Sequence, residues 1–454
     1  MGFGHLFGIF MSDSALQYAD LAALVERSLA EATARGATAA DAGISVDTGL
    51  GVTVRLGEVE TLEYQRDRGM GITVYIDQRK GTATTGDLSW PAIEATVQKA
   101  LTIAKFTAED DCAGLPDPLT LQREVIDLDL SHPWDLTAED AIEVAQRCEA
   151  AALGVDPRIT NSEGASVNSH RALRVSGNTL GFIGGYPSTY YSVSCAIMGQ
   201  DGGTMERDYW YTVARDWPSL ENPAAVGTRA AERALARLGA RRLSTTRAPV
   251  LFVPELARGL IGSFLGAIRG GSQYRRSSFL LGAAGQQVFP SFFNLSERPH
   301  LRRALGSAPF DSEGCRTQDR ELVAGGVVDG YVLDTYSARK LGLSTTGNSG
   351  GVHNVLVHSG TEDYAALLKR MGRGLIVTEL MGQGVNGVTG DYSRGAAGIW
   401  VENGEACYPV NEITIAGNLK DMFRGILAVG SDIDLRGSIR TGSILVDEMT
   451  IAGE

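Results

Sequence analysis

Apolar and polar positions alternate along this chain in two periods. In ALQYADLAALVERSLAEATARG, Tyr18, Leu21, Ala22, Val25, Leu29 and Ala32 recur at helical spacing; Ser14 stands as a candidate N-cap and Gly36 as a stop. GVTVRLGEVETLEYQ and GMGITVYIDQRKGTATTG are rich in Val, Ile, Thr and Tyr with intervening glycines, which predicts two hairpin-like strand pairs. A second helix over Trp90 to Phe106 closes a small α/β unit, residues 14–112. The Pro/Gly stretch AGLPDPLTL reads as a linker.

Beyond it, DLTAEDAIEVAQRCEAAAL is a helix whose Thr-x-x-Asp start resembles a capping box. From Ile159 to Trp217 the pattern is extended, with turn signals at NSEG, SGNTLG, GGYP and GQDGG, and ENPAAVGTRAAERALARLGA is helical again. These form a β-rich middle region with flanking helices, 120–242, and a boundary falls in RRLSTTRAP. The last region, 247–454, opens on apolar APVLFV. Pro254 then suits a first helical turn, and Leu256, Leu260, Ile261, Phe264, Leu265 and Ile268 mark a buried helix. Short Gly- and Val-rich runs such as GGVVDGYVL, HNVLVHSG and GLIVTEL follow, predicting a sandwich or barrel-like β domain. The fold class is therefore α+β: a small α/β unit, a β-rich middle and a large, mostly β C-terminal domain.

Composition removes several function classes. The 454 residues carry a formal charge of -13, which repels phosphate backbones and argues against direct nucleic-acid binding. Cys112, Cys148, Cys195, Cys315 and Cys407 are scattered, without a C-x-x-C pair, so neither a disulfide frame nor a thiolate zinc knuckle is expected and a reducing cytoplasm fits. MGFGHLFGIF lacks a basic n-region and is too short to span a bilayer, so it reads as neither signal peptide nor anchor, with Met11 as a candidate natural start.

Zincin-type hydrolysis needs two imidazoles and an adjacent glutamate, yet none of the six histidines precedes a Glu. His353 and His358 stand at an odd spacing in an extended segment and point to opposite faces. Asp311 and Glu313 of PFDSEGC, joined by His353, form an alternative carboxylate-histidine site, although DSEG looks more like a turn. GNSGG at 347–351 matches the spacing of a serine elbow, but an extended run follows it and no acid separates Ser349 from His358. Gly382, Gly384 and Gly387 match G-x-G-x-x-G without a helix behind them.

RGGSQYRRSSF is the most informative polar stretch: Arg269, Gly270, Gly271, Tyr274 and Arg275 place guanidinium and phenol groups on flexible backbone, suited to gripping a peptide's carbonyls or carboxylates. The same residues also suit an ordinary helix C-terminus, where glycine stops the helix and arginine complements its dipole.

At SSFLLGAAGQQVFP, APFDSEGCRTQ, GGVVDGYVLDTYSARKLGLSTTGN and PVNEITIAGNLKDMF, with VTVRLGEVETLEYQRDRGMGITVYI near the start, the chain resembles the TldD/PmbA family, and within it the PmbA (TldE) branch. The resemblance implies three domains and a role. In that family the TldD branch carries a His-Glu-x-x-x-His helix that, with a later cysteine, holds zinc for peptide cleavage. PmbA/TldE is its partner lacking that motif. By alignment, Gly262, Ser263 and Ala267 stand where the ligands and the glutamate would be; ITIAGNL has no cysteine and Cys407 lies too early. The resemblance thus implies a cytoplasmic, non-catalytic subunit with no metal of its own and zinc in a TldD-like partner. Its substrates would be unfolded peptides, including antitoxins and microcin precursors. Two rivals remain: a peptide-binding homodimer that does not cut, and a self-sufficient hydrolase using Asp311, Glu313 and His353.

Overall fold

The computed structural model describes residues 17–453 and divides into two compact units, one holding 67–115 and 173–187 with the chain up to Val46, the other the remainder. Ser14, Met11 and the MGFGHLFGIF stretch lie outside the described residues.

Helices α1 (Tyr18–Ala34) and α2 (Trp90–Phe106) belong to the first unit. The Asp20 carboxylate accepts the Gln17 N–H at 3.0 Å, closing the first turn of α1. Both helices bury their apolar stripes, Leu21, Val25 and Leu29 with Ile93, Val97 and Leu101, against Ile44, Met70, Ile72 and Val74 of the sheet. A Cβ on Gly81 would stand 2.1 Å from the Ala100 carbonyl oxygen, so α2 rests directly on the strand beneath it and only glycine fits.

Strands β1 (Ala39–Arg55), β2 (Glu58–Ile76), β3 (Arg79–Thr85), β4 (Ile159–Asn178), β5 (Ile183–Asp201) and β6 (Thr204–Ala214) form one sheet in the order β3-β2-β1-β4-β5-β6. Instead of two separate hairpins, the first three strands make a meander in which β2 serves both turns. No Gly/Pro/Asn cluster interrupts TLEYQRDR, so the strand has no reason to end there. Likewise NSEG and GGYP lie inside β4 and β5, while turns form at SGNTLG and GQDGG. Gly164 of NSEG takes φ +110° with its backbone pressed on Thr53 and Val54.

In the second unit, α3 (Ala138–Leu153) starts with the expected Thr137–Asp140 capping box and packs on α4 (Pro223–Arg237). A Cβ on Gly227 would come within 1.9 Å of the Cys148 carbonyl oxygen, so the two helices meet backbone to backbone there. Their core takes in Leu50, Val52, Val54, Val193, Ile197 and Trp210.

The C-terminal region is built on β7 (Thr246–Phe252), which lies parallel to Gly374–Met381 and antiparallel to Ile444–Ala452 in a six-stranded sheet. Its unbroken apolar run is the signature of a strand covered on both faces. Val250 and Phe252 face a core shared with α5 (Pro254–Ala267), while Leu251 packs with Leu367, Leu368 and Met371 of the helix Tyr364–Met371. A second, five-stranded sheet contributes Leu295, Leu322, Val323, Val355 and Val357 to the α5 core. The simple sandwich or barrel expected from short strands is thus a helix-flanked mixed sheet with a smaller sheet beside it. The short-strand pattern carries no record of a parallel pairing between residues so far apart.

Candidate functional site

Helix α5 buries Leu260, Ile261, Phe264 and Leu265 and leaves a face of small residues outside the core. At Gly259, Gly262 and Gly266 an added Cβ would meet nothing within 4 Å, and the Ser263 hydroxyl donates to the Gly259 carbonyl at 3.0 Å. The end of α5 is satisfied by side chains. The Ala267 carbonyl accepts from Gln273 Nε2 at 2.7 Å and from Ser278 Oγ at 2.8 Å, and the Gly266 carbonyl accepts from Ser272 Oγ at 2.9 Å.

The polar stretch then forms a short helix, α6 (Gly270–Tyr274), with Arg269 at its N-cap. Neither Gly270 nor Gly271 has positive φ; Arg276 does, at +57°. Gly270 serves close approach, because a Cβ there would lie 2.2 Å from Ser337 Oγ on the helix α7 (Thr335–Leu341). Gly271 has open space. The expectation that glycine stops α5 through its backbone freedom is therefore corrected: serines and a glutamine cap that helix, and glycine lets α6 touch α7. Tyr274 meets Tyr336 edge to face at 5.8 Å, and Arg275 Nε donates to the Tyr274 hydroxyl at 3.0 Å. Arg269 and Arg275 are exposed. Tyr274 and Arg275 thus form a joined pair; no bond joins Arg269 to them, its backbone being bridged to Val332.

The acidic turn expected at DSEG is present and tightly knit. Asp311 Oδ1 accepts the N–H groups of Glu313 and Cys315 at 2.9 Å, and Oδ2 accepts that of Ser349 at 2.9 Å. Glu313 Oε2 accepts from the Thr335 N–H at 3.0 Å and its hydroxyl at 2.5 Å. Asp311, Glu313 and Cys315 bring one ligand atom each within 4.8 Å of one another. Burial pushes Asp311 up to about 7 against the pull of the Ser349 N–H; burial also raises Glu313, and it lifts the Cys315 thiol to about 12.

His353 does not complete this group. Its N–H donates to the buried Glu297 carboxylate at 2.6 Å, which also binds Asn348 Nδ2 at 2.8 Å and Arg320 at 2.9 Å, and burial lowers the pKa of its ring. His358 is exposed, with Nε2 3.1 Å from Ser296 Oγ. Gly347, Gly350 and Gly351 all have positive φ, so GNSGG is a glycine turn, and the loop at 382–390 leads into a strand rather than a helix. The buried Glu297 cluster escapes sequence reading because its members come from two paired strands, which set Glu297 opposite Arg320, and from the later segment that carries Asn348 and His353.

Three family models match in register: PmbA/TldA metallopeptidase domain 1 over 40–104, its central domain over 131–238 and its C-terminal domain over 245–453. The chain belongs to the TldD/PmbA family. It is 52% identical over 415 residues to "Metalloprotease PmbA" of Escherichia coli O157:H7, covering 91% of this chain and 92% of that one. A crystal structure of a "putative modulator of DNA gyrase" from Bacteroides thetaiotaomicron superposes with TM-score 0.90 at 27% identity, over 95% of this chain and 98% of that one. TldE from Thermococcus kodakarensis shares the fold, with TM-score 0.84 at 19% identity over 95% and 100%.

Membership in a metallopeptidase family poses the question of where a metal would sit. On α5, Gly262 has no side chain, the Ser263 hydroxyl returns to its own helix and Ala267 is buried, so none of these positions fits zinc. The DSEG turn fits poorly as well. Both Asp311 oxygens are engaged by backbone donors, and Glu313 Oε2 already accepts from the N–H and the hydroxyl of Thr335.

Proposed function

We propose that this TldD/PmbA-family chain is the non-catalytic subunit of a two-chain, TldD/TldE-type zinc peptidase acting on unfolded peptides such as antitoxins and microcin precursors. The observation that carries the proposal is the α5 face of Gly259, Gly262, Ser263 and Gly266, which keeps a packed helix but offers no group that holds zinc or activates water. In this reading the zinc and the water-activating glutamate belong to a TldD-like partner, and the chemistry takes place there in the cytoplasm. The Tyr274–Arg275 pair is the substrate-gripping element of this chain, with Arg269, Gly270 and Gly271 supporting it. An extended peptide is the natural substrate, because a guanidinium and a phenol recognise backbone carbonyls and a terminal carboxylate that a folded chain keeps paired.

One observation favours a second reading. Asp311, Glu313 and Cys315 do converge, and a self-sufficient hydrolase would use them. A peptide-binding homodimer without proteolysis would match the same α5 face. Metal analysis and cleavage of an unstructured peptide, by the purified chain alone and after mixing with a cognate TldD-like chain, separate the three. The subunit reading expects no zinc and no cleavage alone, and cleavage by the mixture above that of the partner. Zinc and cleavage by the single chain would transfer the chemistry to the DSEG turn, and peptide binding with no gain in cleavage would leave a binding module.

A further inference from the structure

Beyond α6, the segment 279–288 and the short helix Leu419–Arg424 enclose a cavity of about 170 Å³. Phe279, Leu280, Ala283 and Val288, all buried, give it an apolar floor. Phe279 packs against Phe423 at 6.1 Å and Phe423 against Phe289 at 4.9 Å, so the floor rests on an aromatic cluster. Gln273 pins the segment: its Nε2 donates to the Leu280 carbonyl and its Oε1 accepts the Gly282 N–H, both at 3.1 Å. The cavity is thus preformed, which spares a ligand the cost of ordering it.

The remaining lining carries charge of one sign. Lys420 and Arg424 stand four residues apart on their helix and share a face of it. Both are exposed, and among the described residues neither side chain is paired with a carboxylate. No Asp or Glu lines the cavity, although the chain as a whole has a charge of -13. Gln286 and Gln287 complete the lining; their Nε2 atoms donate to the Gly282 and Phe289 carbonyls at 2.9 and 3.2 Å, which leaves their side-chain oxygens as acceptors.

We propose that this cavity binds the C-terminal residue of a peptide, with an apolar side chain on the Phe279–Val288 floor and the terminal carboxylate on Lys420 and Arg424. Size and charge together select this occupant. The cavity is smaller than the roughly 300–1,000 Å³ of small-molecule sites and takes a single side chain. An internal Asp or Glu would carry its charge onto the apolar floor, and an acidic neighbour in an extended peptide points to the opposite face. Only the last residue of a peptide holds a carboxylate on the same Cα as an apolar side chain. The Gln286 and Gln287 oxygens are left to accept that residue's N–H.

Calorimetric titration of the full chain with a short N-acetylated alanine peptide ending in leucine tests the site. The free acid is expected to bind, and its C-terminal amide, or a peptide ending in serine, to bind about tenfold more weakly or worse. Lys420→Gln with Arg424→Gln is expected to weaken the free acid by a similar factor and to abolish the difference between acid and amide. Both positions are exposed, and circular dichroism checks that the variant is folded. Arg247→Gln, which removes an exposed cation elsewhere, is expected to bind as the parent does. No binding of the free acid, equal binding of acid and amide, or a difference that survives in the double variant each overturns the proposal. Decanoate binding as tightly as the peptide would make the cavity a fatty-acid site and overturn it too. The outcome is independent of the subunit reading, which is decided by zinc and cleavage.

Discussion

Gly270 and Gly271 are adjacent and identical in sequence, yet their surroundings differ. Gly270→Ala drives a Cβ into Ser337 and is expected to cost about 2–3 kcal/mol, while Gly271→Ala meets open space and stays within about 1 kcal/mol of the parent, which paired thermal melts would read directly. On the proposed subunit reading, Arg275→Ala and Tyr274→Ala are expected to impair cleavage by the chain mixed with its proposed TldD-like partner while leaving the melting temperature close to the parent; unchanged kinetics in both would remove the pair from the proposed substrate-gripping role. Asp311 supplies a pH test. Its folded value, about 7, stands above its ordinary 3.8, so its contribution to stability is complete at low pH and is lost as pH rises through about 7. Urea midpoints of the parent should therefore fall relative to those of Asp311→Asn between acid and neutral pH. His353 shifts the other way, losing stability on acidification, but it is common to both proteins and cancels in the difference. Parallel pH profiles would mean that Asp311 titrates alike in the folded and unfolded chain, with no shift from burial.

Whole elements are fastened by a few partly buried charges that no periodicity reveals. Arg237 of α4 reaches Glu206 at 3.2 Å, Asp208 at 3.7 Å and Glu379, and Arg233 beside it binds Asp208 at 3.2 Å and Glu255 of α5 at 2.8 Å. Arg436 lies over the Trp210 ring at 3.8 Å and pairs with Asp434 at 2.8 Å. Removing one member of such a cluster strands the others, so Arg237→Ala should destabilise by about 3 kcal/mol, more than Arg247→Ala at the exposed Glu448 pair, in chemical denaturation. Glu149 does the same for the β1–β2 turn. Its replacement by alanine should speed hydrogen exchange at Leu56 and Gly57 selectively, since those are the N–H groups it holds.

For the whole molecule, the -13 charge sets the expectation that no mobility shift of duplex DNA appears at physiological salt; a shift that strengthens as salt falls would reveal a basic face the net charge hides. Among the described residues no helix is long and apolar enough to cross a membrane. The helices were the most legible part of the fold. Trp90–Phe106 has the expected bounds, and the Thr137 box and the Pro254 start stand where the residues put them, because caps and 3.6-residue stripes act over short separations. Strand limits were less legible. A turn signal such as NSEG can also serve a strand that bends or presses on its neighbour, and only the neighbouring strand distinguishes the two.

The sequence by itself determined the α+β class, the family, and the absence of any His-Glu pair or ligand at Gly262, Ser263 and Ala267, since these depend on residue identity and local order. Tertiary structure alone decided that β7 is covered on both faces and that Gly270 is needed by α7. It also decided that Asp311 and Glu313 meet Cys315 while His353 joins Glu297, and that β3 pairs with β2 from Met70 to Ile76. Each of these depends on which distant segments pack together, and chain connectivity places no such limit on residues separated by tens or hundreds of positions.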